Sequence, residues 1–302
     1  MDDFKVIGIE DKEIIEEYII PSDERDCDLS FANLCSWQFI TESSYAVMDG
    51  LLVIRFAHPK WGHEYFMPMN KRGEADRAQA LQVLEQLARE ADTKQEPLCL
   101  RGVSPALEEE LAGSRLGNFN FVKDRDYFDY VYQRQDLAEL KGKHYQPKRN
   151  HVNKFKREYN FTAEPLTQQA VAECLEFEAS WCRVHGYEED ENILNERQAM
   201  VYAFEHWERL GLRGLVIRVE GKVAAFTFGA PINHDTFGVH FEKADIRIDG
   251  AYSAVNQFFA ASLPEEYVYL NREEDLGIPG LRQAKLSYQP AFLLEKIRAV
   301  KK

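Results

Sequence analysis

The strongest constraint on the fold is an order of predicted elements that occurs twice along the chain. Each half is predicted to form a strand, two helices, three strands, a helix, a strand, a helix and a last strand. In the second half the three consecutive strands are predicted at 212–220, 222–232 and 236–244. Because hairpin strands precede strand–helix–strand units, we predict an α/β chain of the α+β type, with two mixed sheets and helices on both faces of each.

The length supports two units. The chain has 302 residues, of which 45% are hydrophobic, and single cores tend to divide near 250–300 residues. We predict a first domain at 1–138, a basic connecting segment at 139–160 and a second domain at 161–302, which is expected to carry the active cleft. Local signals support the first half: Asp49-Gly50 suits a tight hairpin turn, and Ser104-Pro105 is typical of a helix start.

Charge and hydropathy restrict the partners. Lys and Arg number 37 against 51 Asp and Glu, which gives a net charge of −14 and disfavours indiscriminate binding to DNA or anionic lipid. No apolar run approaches the roughly 20 residues that span a bilayer, and the first residues are acidic, unlike a signal peptide. We therefore predict a cytoplasmic protein with no DNA partner and no integral membrane association.

Common catalytic and metal motifs are missing from the sequence. Five cysteines include no C-x-x-C pair, so neither a disulfide framework nor a zinc knuckle is indicated, and we expect no metal. The sequence also lacks a Walker A motif, G-x-S-x-G and H-E-x-x-H, so no motif supports interpretation of the chain as a kinase or a hydrolase.

The sharpest chemical signal is the stretch that begins at Arg247 and opens a predicted helix at Gly250. It resembles the Q/R-x-x-G-x-G/A loop of GCN5-related N-acetyltransferases (GNAT), with Tyr252 at the final position. A helix N-terminus exposes unpaired amides that can hold a pyrophosphate, and glycine lets the ligand approach closely. The residues that we predict to contact the cofactor are Arg247, Gly250, Ala251, Tyr252 and Ser253. A plain strand-to-helix turn and the corresponding first-half loop, 70–75, are the competing interpretations.

Polar groups also concentrate at predicted strand ends in 240–290. In a GNAT-like sheet the strands that carry Glu242 and Asn271 are neighbours that splay apart around the acyl donor, so both are candidate catalytic residues. Tyr288 near the last helix is the candidate general acid for the leaving thiolate. Arg282 and Lys285 of the same cluster are candidate substrate contacts, and a solvated charge cluster around a Gly-Pro turn is the alternative.

The segment between the halves concentrates positive charge in an acidic chain. It suits a helix that begins after Pro147, with Phe155 as its apolar anchor. Lys148 and Arg149 are candidates for neutralising phosphates of coenzyme A, a nucleotide or a tRNA acceptor stem. A basic linker that pairs with acidic surface is the alternative. Residues 141–159 have one acid, Glu158, against seven basic residues, namely Lys141, Lys143, Lys148, Arg149, Lys154, Lys156 and Arg157.

Three stretches carry a resemblance to a known family. FEKADIRIDGAYSAVNQFFA, YLNREEDLGIPGLRQAKLSYQP and GKHYQPKRNHVNKFKREY resemble the phosphatidylglycerol lysyltransferase carboxyl-terminal family, and the resemblance covers nearly the whole chain. That family is similar in fold to Fem-type peptidyltransferases, with two GNAT-like halves. Its named members move an aminoacyl group from charged tRNA to a lipid, and they have a multi-pass membrane region that is not found in this sequence.

Together these observations predict a GNAT-type acyltransferase. We expect it to move an acyl or aminoacyl group from acyl-CoA, as donor, to a small amine acceptor. One alternative is an aminoacyltransferase that uses charged tRNA, as the family resemblance implies. Another is a non-catalytic protein that binds a nucleotide-bearing ligand in the same cleft.

Overall fold

The computed structural model describes residues 4–72, 77–186 and 190–302, and its elements follow the predicted order closely. The first 138 residues contain β1 (Lys5–Val6), α1 (Lys12–Ile19), α2 (Phe31–Ser36), α3 (Gln38–Thr41), β2 (Ser44–Met48), β3 (Leu51–His58), β4 (Gly62–Tyr65), α4 (Arg77–Lys94), β5 (Cys99–Val103), α5 (Pro105–Ala112), β6 (Phe119–Val122), β7 (Asp129–Gln133) and the start of α6 (Arg134–Glu139).

The rest of the chain continues this pattern. Its elements are α7 (Gln146–Glu158), β8 (Phe161–Pro165), α8 (Val171–His185), α9 (Glu191–Glu205), α10 (Trp207–Leu210), β9 (Arg213–Val219), β10 (Lys222–Pro231), β11 (Thr236–Ala244), α11 (Ala251–Ser262), β12 (Tyr269–Asn271), α12 (Pro279–Leu286), β13 (Phe292–Leu294) and β14 (Ile297–Lys301).

Local signals of the sequence are confirmed at several turns. Asp49 and Gly50 have φ values of 50° and 80° between β2 and β3, as a tight hairpin turn requires. Ser104 caps α5, because its hydroxyl accepts a hydrogen bond from the Leu107 amide at 3.3 Å. Helix α7 forms in the basic segment, with Phe155 buried beneath it as predicted.

The described residues form two mixed sheets of seven strands each. Their strand orders are β1-β2-β3-β4-β5-β14-β6 and β13-β7-β12-β11-β10-β9-β8. The halves therefore exchange strands: β7 from the first half lies in the second sheet, and β14 from the end of the chain lies between β5 and β6. The sheets do not follow the ranges 1–138 and 161–302, which remain a prediction about separable domains.

Two predicted strands are each split into two. The predicted aromatic strand over 119–132 is interrupted by a 3-10 turn at Arg125–Tyr127, where the Asp124 carboxylate accepts from the Asp126 amide at 3.1 Å. The predicted strand over 291–300 is divided into β13 and β14, which lie in different sheets. Each split lets the chain pass from one sheet to the other.

The main core joins the two halves. Phe56 and Phe66 of the first half belong to the same buried cluster as Phe228 and Phe241 of the second. A second cluster lies between the second sheet and α11, and a third lies between the first sheet and α4. Along the described parts of the chain, no helix has both the length and the apolar character needed to cross a membrane.

An irregularity in β11 positions the site. Phe228 of β10 pairs with Phe241 and Gly229 with Val239, so His240 is an extra residue in β11. Beyond this bulge the side chains of β11 exchange faces of the sheet. Glu242 therefore points toward the face that α11 covers. The parallel pairing of β11 with β12 ends at Gly238 and Asn271, although β11 continues to Ala244. The two strands therefore part at the bulge, as in the splayed sheet that the sequence predicts.

Candidate active site

Glu242 and Arg272 form the centre of the candidate site, beyond the last pairing of β11 with β12. The guanidinium Nη2 of Arg272 donates to Oε1 of Glu242 at 2.8 Å. Both side chains are mostly buried, with 12% and 14% exposed. The second oxygen of Glu242, Oε2, is buried and finds no hydrogen-bond partner in the described parts of the chain. An unpartnered buried carboxylate oxygen is costly, so it marks a position where a donor group of a ligand would bind.

Tyr288 completes one wall of this site. Its ring is buried, and its hydroxyl lies 3.4 Å from Oγ of Ser253 in the first turn of α11. The guanidinium carbon of Arg272 lies 5.0 Å from the ring centroid, and Nζ of Lys148 on α7 lies 3.9 Å from it. Two cations therefore contact one electron-rich ring. Elements far apart in the sequence bring Glu242, Tyr288, Ser253 and Lys148 together.

The environment changes the acidity of two of these groups. Burial, with the nearby charge of Arg272, lowers the pKa of Lys148 to about 8. Burial raises the pKa of Tyr288 above its ordinary value, so its phenol stays protonated at neutral pH. A protonated phenol can donate a proton to a leaving group, and the positive charges of Lys148 and Arg272 beside it would attract an anionic one.

The predicted site residue Asn271 does not join this cluster. Its amide donates to the Arg25 carbonyl at 2.7 Å and to Oδ2 of Asp129 at 2.8 Å, on the side of the sheet that faces the first half. Successive residues of a strand point to opposite faces, so the neighbouring Arg272 faces Glu242 instead. Sequence analysis missed Arg272, and this period of two was the signal that could have indicated it.

The predicted pyrophosphate loop is covered by the chain's own helix α7. Gly250 has a φ of 84°, and a Cβ there would lie 2.5 Å from the His151 carbonyl oxygen, so the close neighbour of this glycine is protein backbone. Asp249 pairs with Lys154 at 2.6 Å, and the Asp249 amide donates to the Tyr159 hydroxyl at 3.2 Å. These contacts correct the expectation that the loop opens onto a ligand.

The other predicted members of this loop also contact groups of the chain itself. The guanidinium of Arg247 is 67% exposed and pairs with Asp245. Ala251 donates its amide to the Ile248 carbonyl at 3.1 Å. Tyr252 contacts the Ala244 backbone and the Trp181 side chain. Ser253 alone faces the candidate site. Of the competing first-half loop, residues 73–75 lie outside the described residues.

Two predicted substrate contacts, Arg282 and Lys285, hold loops of the chain in place. The guanidinium of Arg282 binds Asp275 at 2.6 and 2.8 Å and Asp126 at 2.5 Å. Lys285 is buried and donates to the carbonyls of Arg272 at 2.5 Å, of Glu273 at 3.1 Å and of Glu274. These two residues therefore position the loop that presents Arg272.

Arg149 has a comparable structural role on α7. Its guanidinium donates to the carbonyls of Leu140 and, at 2.9 Å, Gly142. These bonds tie α7 to the segment that precedes it. Of the four predicted substrate or phosphate contacts, Lys148 is thus the one whose side chain reaches the candidate site.

A second polar cluster lies between the two halves and has the composition of a metal site. Its cation position is taken by the ammonium of Lys296, which lies 2.9 Å from Asp129, 3.4 Å from Asp28, 3.5 Å from Asp26 and 3.6 Å from Glu274. The candidate ligand groups are Asp26, Cys27 and Asp28, and Cys27, Asp129 and Glu274. Because this ammonium already lies where a cation would bind, the residues do not fit a metal ion well.

Comparisons with solved structures identify the fold. FemX has a TM-score of 0.60 at 8% identity and covers 98% of this chain and 96% of its own. A tandem GNAT protein from the clavulanic acid biosynthesis pathway has a TM-score of 0.50 at 9% identity, and 98% of each chain is covered. At these identities the likeness concerns the fold alone. The fold predicted from the sequence, two GNAT-like units in tandem, is confirmed.

The chain belongs to the phosphatidylglycerol lysyltransferase C-terminal family, whose model matches residues 21–300. The family resemblance of the sequence is thereby confirmed. A conserved protein of unknown function from Bacteroides thetaiotaomicron is 46% identical over 100% of both chains, with a TM-score of 0.94. None of the curated proteins matches the chain in sequence.

Proposed function

We propose that this chain is an acyltransferase that moves an acyl or aminoacyl group from acyl-CoA to an amine. The observation that carries the proposal is the opening where β11 and β12 part, with Glu242, Arg272 and Tyr288 at its α11 side. The free oxygen of Glu242 offers a place for the attacking amine. The family and the tandem GNAT-like fold support acyl or aminoacyl transfer in general.

In this proposal each group has one chemical task. The amine nitrogen attacks the thioester carbonyl carbon and passes a proton to the free oxygen of Glu242. The carbon–sulfur bond breaks, and the Tyr288 hydroxyl donates its proton to the departing thiolate. A backbone amide near the bulge in β11 would polarise the carbonyl oxygen, and holding both reactants together supplies much of the acceleration.

The cations of the site indicate where the anionic part of the donor would bind. Lys148 and Arg272 both contact the Tyr288 ring, and the loop at Gly250 is covered by α7. The donor phosphates are therefore expected beside Lys148 and not against the backbone at Gly250. This arrangement uses point charges from side chains in place of a helix N-terminus.

A second candidate is transfer of an aminoacyl group from charged tRNA. The basic helix α7 favours it, because Lys156 and Arg157 are exposed on the helix that also carries Lys148 into the site. Membership of the phosphatidylglycerol lysyltransferase C-terminal family favours it as well. Both donors are cytoplasmic molecules, so we infer a cytoplasmic location with either.

Thermal unfolding with each donor, followed by turnover assays, tests these alternatives. A ligand that binds only the folded chain raises the midpoint of unfolding. Stabilisation by acetyl-CoA, with release of free thiol when a panel of amines is added, is the expected result. Stabilisation by aminoacyl-tRNA alone would reject acyl-CoA as donor. Binding of acyl-CoA without turnover of any amine would instead favour a non-catalytic binding protein.

A further inference from the structure

Three residues on the opposite side of the splayed strands form a connected chain of hydrogen bonds. Oγ of Ser30 lies 2.9 Å from Nε2 of His240, and Nδ1 of the same ring lies 2.9 Å from Oε1 of Glu273. An ionised carboxylate only accepts hydrogen bonds, so it pairs with a proton on Nδ1, and in that neutral tautomer Nε2 can accept from the serine. The arrangement joins a nucleophile, a base and a group that orients the base.

The Ser30 hydroxyl bonds to His240 and not to the backbone of the helix that it begins. Ser30 occupies the N-cap position of α2, where a hydroxyl ordinarily accepts from an amide of the first turn. Here the side chain makes no such capping bond, and the hydroxyl faces His240. The hydroxyl therefore contacts the imidazole instead of making a stabilising bond to an amide in the first turn of α2.

The orienting carboxylate lies on a strained residue. Glu273 has a φ of 58°, in the left-handed region that is unfavourable for residues with a side chain. Its amide donates to the Asn271 side chain at 2.7 Å, and Oε1 also accepts from Asn33 at 3.1 Å. Backbone strain that neighbouring contacts maintain is frequent at functional sites.

The location restricts what could react there. Ser30 is fully buried, the His240 side chain is 1% exposed and the Glu273 side chain is 26% exposed, so the group reaches solvent at Glu273. Ser30 belongs to the first half and the other two residues to the second, so the seam between the halves must open for a reactant to enter. Because two of the three side chains are buried, only a small reactant could reach them, and the carboxylate of Glu273 disfavours an anion.

We propose that Ser30, His240 and Glu273 form a second acyl-transfer centre, which accepts small neutral esters. Ser30 Oγ attacks the ester carbonyl carbon and passes its proton to Nε2 of His240. The carbon–oxygen bond to the leaving alcohol breaks, and the alcohol departs with that proton. Water then cleaves the acyl-serine along the same route, which releases the carboxylic acid and restores the serine hydroxyl.

The test exposes the intact protein to p-nitrophenyl acetate, without thioester or amine, so that its outcome does not depend on the proposed function. Released p-nitrophenolate is followed over time, and peptide mapping locates the acetyl group. We expect acetylation at Ser30, its loss in S30A, and acetylation slower by roughly 100-fold or more in H240Q, because the base is missing. The control is S43A, which removes a buried serine that donates to the Leu34 carbonyl at 2.8 Å and contacts no histidine in the described residues; it should be acetylated as the unchanged protein is.

Unfolding midpoints show whether each variant folds. If S30A does not fold, mapping of the unchanged protein and the rate for H240Q still decide the matter. Absence of acetyl at Ser30, acetylation only at lysines, or an H240Q rate equal to that of the unchanged protein would each overturn the proposal.

Discussion

The ammonium of Lys296 lies 2.9 Å from Oδ1 of Asp129, and the two residues mark the point where the halves exchange strands. Asp129 begins β7, which the first half contributes to the second sheet. Lys296 directly precedes β14, which the end of the chain contributes to the first sheet. This buried ion pair therefore connects the two crossings.

The first prediction concerns this pair. K296M leaves Asp129 and Asp26 buried without their cation, so we expect a loss of about 3–5 kcal/mol in the free energy of unfolding. Denaturant titration measures it. The control is K301M, because Lys301 pairs with the exposed Asp92 at 3.6 Å and such a pair contributes less than about 1 kcal/mol. Equal losses in the two variants would contradict the prediction.

The second prediction concerns pH. Burial raises the pKa of Glu274 from 4.5 to about 7, and the charge of Asp129 adds to the shift against the opposing effect of Lys296. Between pH 4.5 and 7 the folded chain holds a proton that the unfolded chain has released, so this contribution to stability is lost as pH rises through 7.

E274Q removes that titration. As pH rises from about 5 to about 8, the free energy of unfolding of E274Q should therefore increase relative to that of the unchanged protein. Denaturant titrations at both pH values measure the difference. E266Q, at an exposed position, is the control and should keep the original pH dependence. A parallel pH dependence in E274Q and the unchanged protein would show that Glu274 is already ionised below this range.

The third prediction tests the proposed acid. Y288F keeps the ring that Lys148 and Arg272 contact but removes the proton, so kcat with acyl-CoA should fall by roughly 100-fold while KM changes little. Steady-state kinetics of thiol release measure both. Y267F is the control, since Tyr267 is a tyrosine of the same core cluster that packs against Phe237. Unchanged kcat in Y288F would remove Tyr288 from the mechanism.

The fourth prediction concerns the charge of Lys148. Since its pKa is about 8, the ammonium loses its charge between about pH 7 and pH 9, and affinity for CoA should fall across that range. K148R should retain affinity at the higher pH, because guanidinium stays charged. Calorimetric titration with CoA measures this. K143M, at an exposed position of the same segment, should bind as the unchanged protein does.

The fifth prediction separates strain from crowding at Gly250. Both G250A and G221A place a side chain at a positive φ, 84° and 77°, but only the Cβ at Gly250 meets backbone, the His151 carbonyl oxygen at 2.5 Å. G221A should cost about 1 kcal/mol in the free energy of unfolding, and G250A clearly more. Equal losses would mean that α7 moves aside without cost.

Much of the local structure could be predicted because it depends on neighbouring residues. The hairpin at Asp49-Gly50, the cap at Ser104 and helix α7 with buried Phe155 are all set by residues within one or two turns. The phosphate loop was harder to interpret. Its glycine is required by positive φ and by the His151 backbone, and a sequence alone does not distinguish a close ligand from a close helix.

The sequence by itself determined the order of elements and the two GNAT-like halves, since these depend on local periodicity and on motif position, and it also led to the prediction of Glu242 and Tyr288 as site residues. Only the tertiary structure decided that Arg272 and not Asn271 faces Glu242, that β7 and β14 change sheets, and that Ser30 meets His240. The physical reason is that each of these contacts joins residues far apart in the chain. The period of two along a strand indicates that Asn271 and Arg272 lie on opposite faces, but strand pairing and a single bulge select which of them lies on the face of Glu242.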